Sequence, residues 1–332
     1  MTIPRRRVLA TLGVLSAAAC GVPPARTSIV KEAPSPLFVD PLVDLVAIAR
    51  LAWLVQLRPR DLTSQPTFAR AIATLIPAWR FDALAEHHGG VDIRRAGELV
   101  VAGYPETTLV LARVGVDGPR VERAFSERAA AVDGRSVERS VTRVWGAAGG
   151  THSQLAVFGR EAVGIERGQP GPLSAAVYFA EKRLKRSAPA LRAEPLAAAA
   201  EAIGDAPIRA FAPGPFAERW GAGLGGLLSA ATAAGASLQA SSSRDNTFVA
   251  RFVLTGSWGN AAAAAAERFG AAFDLFANDP LGRLTGLDRP ATPCHVQADS
   301  NALKLEVGLD AEALARGLAA VTTGTLADIL AL

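Results

Sequence analysis

The chain reads as an α+β protein of two similar halves, each a mainly antiparallel sheet with helices packed on one face. Three observations carry that expectation. Strand-period runs come in consecutive pairs and do not alternate one by one with helices, which argues against a parallel βαβ arrangement. The helical stretches carry one-sided apolar stripes. The order strand, helix, strand pair, helix, strands, helix, met first over residues 48–186, recurs over residues 195–332 after a polar, Pro-containing joint at Ser187–Pro195.

The elements follow from local spacing. Leu42, Leu45, Val46 and Ala49 fall on one helical face, and Trp53, Val55 and Leu57 then alternate with Leu54, Gln56 and Arg58 as a strand that Pro59 ends. Ser64, with Pro66 behind it, predicts a helix start, and Phe68, Ile72, Leu75 and Ile76 are its buried stripe. Trp79 to His88 is a further helical piece closed by Gly89-Gly90. Glu98–Gly103 and Thr107–Val116 are an antiparallel pair split by Tyr104-Pro105-Glu106. Asp117 and Pro119 open a helix with Val121, Ala124, Phe125 and Val132 inward, and Val137 to Trp145 reads as extended. Gln154–Phe158 and Ala162–Arg167 flank Gly159-Arg160, where glycine supplies the positive φ of a hairpin turn. Leu173 to Leu184 is helical, with Lys182, Arg183, Lys185 and Arg186 near the negative pole of its dipole.

In the second half Pro207–Phe211 is a short strand, and Thr232–Ser242 pairs with Thr247–Thr255 around Arg244-Asp245-Asn246. Phe248, Ala250, Phe252 and Leu254 share one face of that pair. A helix capped by Asn260 carries the stripe Phe269, Phe273, Phe276, spaced four and three apart. Leu303, Leu305, Val307 and Leu309 alternate with Lys304, Glu306 and Gly308, a strand with one dry face. Asp310 caps a last helix with Leu314, Leu318 and Val321 inward.

The N-terminus carries an address. Arg5-Arg6-Arg7, the apolar run Val8 to Leu15 and the small residues Ser16 to Ala19 have the form of an export signal, too short to span a bilayer permanently. Ala17-Ala18-Ala19-Cys20 resembles the lipobox of bacterial lipoproteins, with Ala17 where that family favours Leu. The resemblance implies a signal peptide over 1–19, diacylglycerylation of the Cys20 thiol, cleavage before that residue, acylation of the new amino terminus by a palmitate-type chain, and a membrane anchor there. Gly21 in place of Asp implies the outer membrane, on its periplasmic side or at the cell surface. A soluble export signal that merely carries a cysteine is the other reading, and Arg5 to Leu9 loosely resembles a twin-arginine signal with Pro4 where Ser or Thr is preferred. Residues 20–40, with Pro23-Pro24, Pro34 and Pro36, read as a tether, followed by halves at 41–186 and 187–332. In this arrangement the mature part resembles uncharacterised two-half envelope proteins of GC-rich Gram-negative bacteria, a likeness of element order that carries no catalytic residue across.

Half of the 332 residues are apolar, enough for one large core or two ordinary ones. Removing Arg5, Arg6 and Arg7 lowers the formal charge from +4 to +1, so no basic footprint for nucleic acid is left. With Cys20 acylated, Cys294 stands alone and reads as a small buried side chain.

Candidate sites are few. Gly221-Ala222-Gly223-Leu224-Gly225-Gly226 fits G-x-G-x-x-G, but it follows the helical stretch Phe216 to Trp220 and not a buried strand, so a small-residue packing turn is favoured over nucleotide binding. Glu86-His87-His88 offers metal-ligating groups, yet adjacent helical residues point about 100° apart and only His152 and His295 are left elsewhere to complete a site. No G-x-S-x-G occurs, Cys294-His295 has no evident thiolate-activating neighbour, and Asp82, Glu86 and Asp92 are not spaced as a carboxylate pair. No catalytic residue, cofactor or metal is therefore assigned. The charge-free stretch Gly221 to Ser243 reads as turn plus strand, and if its small side chains line a concave sheet they leave room for an acyl chain. These readings predict a non-enzymatic envelope lipoprotein, bound to the membrane through Cys20, that recognises an envelope protein or other envelope component. A periplasmic carrier of a lipid or small amphiphile is the alternative, and a hydrolase with an unidentified site comes third.

Overall fold

Consecutive β-prone runs joined by short turns build hairpins and short meanders, and here these join edge to edge in one wide sheet. The computed structural model describes residues 37–182, 188–216 and 226–322. Among them twelve strands form one open sheet: β1 (Trp53–Leu57), β2 (Glu98–Tyr104), β3 (Thr107–Arg113), β4 (Ala131–Glu138), β5 (Val141–Ala148), β6 (Thr151–Phe158), β7 (Ala162–Gly168), β8 (Ile208–Pro213), β9 (Ala231–Ala240), β10 (Thr247–Gly256), β11 (Thr292–Ala298) and β12 (Ala302–Asp310). Their spatial order is β11-β12-β10-β9-β8-β1-β2-β3-β7-β6-β5-β4, and neighbouring strands run antiparallel throughout.

Among the described residues ten α-helices accompany the sheet: α1 (Pro59–Ser64), α2 (Pro66–Leu75), α3 (Ala78–His87), α4 (Gly118–Arg128), α5 (Pro172–Ala180), α6 (Leu196–Ile203), α7 (Leu227–Ala230), α8 (Ala262–Ala277), α9 (Pro280–Leu284) and α10 (Ala311–Thr322). They do not keep to one face, which corrects the expectation. Leu54, Val100, Ala102, Leu109, Leu111, Phe158 and Phe211 point to one side of the sheet and pack under α5, α6 and a 3-10 turn at Leu42–Leu45. Residues of the opposite parity, Leu99, Ala112, Leu155, Val157 and Val163, pack under Val121 and Phe125 of α4. On that same second side, Phe248, Ala250, Leu254 and the dry face of β12 lie beneath α2, α8 and α10. The physical reason is visible in β2 and β6, where Leu99 to Ala102 and Leu155 to Phe158 are apolar at every position. Such continuous runs bury both faces of a strand.

Several local expectations change as well. Pro59 ends β1 by opening α1, where its missing N–H costs nothing. The extended stretch around Val137 is the hairpin β4–β5, turning at Arg139 with φ +53°, and Val132 lies in β4, exposed, instead of on a helix. Asn260 sits in a 3-10 turn while Ala261 precedes α8, so no side chain caps that helix. Asp310 does cap α10, accepting from the Ala313 amide at 2.7 Å, although Leu318 is exposed and the buried positions described are Ala311, Ala315 and Gly317. Leu37 and Val39 already pack into the core. The expected signal peptide and most of the expected tether, residues 1–36, lie outside the described residues, as does the end of the first half at Arg186.

Candidate functional site

On the second side of the sheet, β8 and β9 present only methyl groups between the Ile208–Leu238 pair and Thr232. Ala210 stands opposite Ala236 and Ala212 opposite Ala234, so four alanines form a low square of floor. Taller residues bound it: Val55 beside Ala210, and Phe252 and Leu254 beside Ala236 and Ala234. Trp53 closes one edge, its indole lying over Gly103 of β2, where a Cβ would overlap the ring. Above the floor runs α8. It rests on β11 and β12 and projects Phe269, Phe273 and Phe276 over the alanines.

The gap between floor and helix is a cavity of about 580 Å³, completed by Leu228, Leu287 and Leu305. That lies within the roughly 300–1,000 Å³ of small-ligand sites. All of its lining side chains are apolar. Phe269 and Phe273 are buried, whereas Trp53, Phe252 and Phe276 are 41%, 37% and 44% exposed, so these three mark where the cavity meets water. A charged group inside would lose its hydration with nothing to replace it. Hydrocarbon would gain about 25 cal/mol per Å² removed from water.

Two buried carboxylates, Glu98 and Glu166, serve the fold. Glu98 accepts from the Leu42 and Val43 amides at 2.6 and 3.1 Å and from Gln56 Nε2 at 2.7 Å, and Gln56 Oε1 accepts from Arg209 Nε at 3.0 Å. Glu166 accepts from the Gly171 and Leu173 amides, the latter at 2.6 Å, and so fixes the start of α5. Burial pushes the Glu166 carboxyl up against the pull of those amides, and burial together with Glu166 pushes up the phenol of Tyr104, which donates to Ala47 O at 3.1 Å. A smaller cavity of about 260 Å³ lies near Tyr104, Thr107 and Gly171.

The positions singled out from sequence are scattered. Cys20 and Gly221 to Gly225 lie outside the described residues, and Gly226 opens the four-residue α7 with φ +82°. His87 and His88 end α3, their rings edge to face at 5.5 Å. Burial, then Arg128 and His87, lower the His88 pKa to about 4. Asp82 and Asp92 both pair with Arg94, at 2.6 and 2.8 Å, which makes them surface ion-pair partners. Cys294 and His295 lie on the edge strand β11, where burial and Asp274 push the thiol up, away from the thiolate a nucleophile needs. His152 is on β6, in the other wing of the sheet from His295. Among the described residues no group of three His, Cys, Asp or Glu is placed to hold a metal ion, and no helix is long and apolar enough to cross a membrane.

Sequence reasoning identified the Phe269, Phe273, Phe276 stripe and the small residues ahead of Ser243, but not Ala210, Ala212 or Trp53 as parts of the same wall. No protein-family model, no curated protein and no solved structure matches the chain.

Proposed function

We propose that this chain is an envelope lipoprotein, cleaved after Ala19 and anchored through acylated Cys20, whose body carries the hydrocarbon part of a lipid or small amphiphile between the sheet and α8. The observation that supports the carrier reading over the partner-binding one is the apolar cavity above Ala210, Ala212, Ala234 and Ala236. The anchor reading rests on Arg5 to Cys20, and it puts the protein at the outer membrane, on the periplasmic side or the cell surface. Two or more acyl chains hold a protein stably where one does not.

The two-half reading belongs to the same proposal. It is supported by the strand orders β1-β2-β3-β7-β6 and β8-β9-β10-β12-β11, which run outward in the same sequence from the adjacent strands β1 and β8. In the second half the floor is alanine, and that is where the cavity lies.

Each methylene transferred into the cavity contributes about 0.8 kcal/mol, so affinity in a fatty-acid series rises roughly fourfold per carbon until the cavity is full. The test is displacement of the fluorescent amphiphile N-phenylnaphthylamine by such a series. Ala236→Trp, which fills the space above β9, is expected to weaken probe binding by about tenfold or more while the melting temperature holds. A wild-type chain that binds neither probe nor fatty acid overturns the carrier reading, and an Ala236→Trp variant that binds as well as wild type overturns this cavity as the site.

A further inference from the structure

The cavity wall is continuous with an exposed apolar corner. From Phe276 the chain turns into α9 and returns to the cavity at Leu287, so the segment between them begins and ends in the wall. The corner is tightly held: Gly282 lies against the carbonyls of Phe276 and Ala277, and Gly317 of α10 lies against the backbone of Leu284 and Thr285. With α9 wedged in this way, its large side chains face outward. Leu281 and Leu284 are exposed, as is Leu275 one residue ahead of Phe276, at 76%. Large apolar side chains grouped on a surface mark a contact with something apolar.

We infer that the corner Phe276–Leu287 is the surface by which the cavity meets a lipid bilayer, so that an acyl chain passes between membrane and cavity without crossing water. This rests on the carrier reading above. The choice of bilayer follows from that continuity: a chain leaving past Phe276 or Leu287 emerges beside Leu281 and Leu284, and hydrocarbon is the environment in which neither the chain nor those leucines is exposed to water. The corner's own two charges, Asp279, which accepts from the Gly282 amide at 2.6 Å at the start of α9, and Arg283 between the two leucines, sum to zero, so the contact is made by the leucines.

The test uses the chain beginning at Gly21, which keeps the whole compact unit Ser35–Leu332. cis-Parinaric acid is supplied either from phosphatidylcholine vesicles or directly from aqueous solution. In the double variant Leu281→Asp with Leu284→Asp, transfer from vesicles is expected to slow by about tenfold, and flotation with vesicles to be lost, while affinity for acid added in solution stays within about twofold. Unchanged transfer in the double variant overturns the inference, and so does an equal loss of affinity and rate, which would make the corner only a wall. A wild-type dimer in sedimentation that the variant dissolves, with transfer unaffected, also overturns it in favour of a contact between copies. Wild type that fails to bind the acid from solution overturns the carrier reading itself. Should the double variant melt early, Leu275→Asp, at the most exposed of these positions, supplies the same readout.

Discussion

Glu98 and His88 show opposite ways of burying a titratable side chain. Glu98 is fully supplied with donors by two backbone amides and Gln56, so its cost of burial is met by charge-assisted bonds. His88 sits at the end of α3 near Arg128, whose guanidinium donates to the carbonyl of His87, and its folded pKa of about 4 lies below the ordinary 6.5. A depressed histidine binds its proton more readily in the unfolded chain. Its contribution to stability is therefore complete above about pH 6.5 and is lost as the pH falls toward 4, by about 3 kcal/mol in all. Urea unfolding at pH 7 and pH 4 should show a fall in stability larger by about that amount in wild type than in His88→Gln. Equal falls would contradict the assignment. The sequence located His88 at a helix end, but not its neighbour Arg128, which a separate helix brings to it.

At the scale of the element, glycine decides how α9 and α10 meet. In an ordinary helix interior Gly→Ala stabilises by about 1 kcal/mol. Gly317 is in α10 with no room for a methyl against Leu284 and Thr285, so Gly317→Ala is expected to destabilise by about 1 kcal/mol or more, the opposite sign, in chemical denaturation. A stabilised variant would show that the two helices separate freely. Helix stripes were legible here because Phe269, Phe273 and Phe276 repeat at the helical period. The alanine floor was only half legible: Thr232–Ser242 was recognisable as a strand, yet an alanine reads the same whether a neighbour fills the space above it or leaves it open.

For the whole molecule, the seam between β1 and β8 carries the joining of the two wings. Leu54 pairs with Phe211 across it and is completely buried in a cluster that also holds Val100 and Leu111 from one wing and Ile203 and Ala233 from the other. Leu54→Ala should cost about 2–5 kcal/mol. Because the cluster is shared, circular dichroism and tryptophan fluorescence are expected to report one unfolding transition, shifted down as a unit by the substitution. Two separated transitions, with only the first shifted, would mean that the wings fold independently.

By itself the sequence determined the antiparallel pairing of β2 with β3, β6 with β7 and β9 with β10, because a period of two and a glycine- or turn-rich joint are written within a few neighbouring residues. It also determined the aromatic stripe of α8. Only the tertiary structure decided that helices cover both faces, that β8 lies beside β1, and that Ala210 and Ala212 meet Ala236 and Ala234 beneath that stripe. A cavity is space that separate elements decline to fill, and its volume depends on how far α8 is held above the sheet by β11 and β12, a distance that no local pattern of residues encodes.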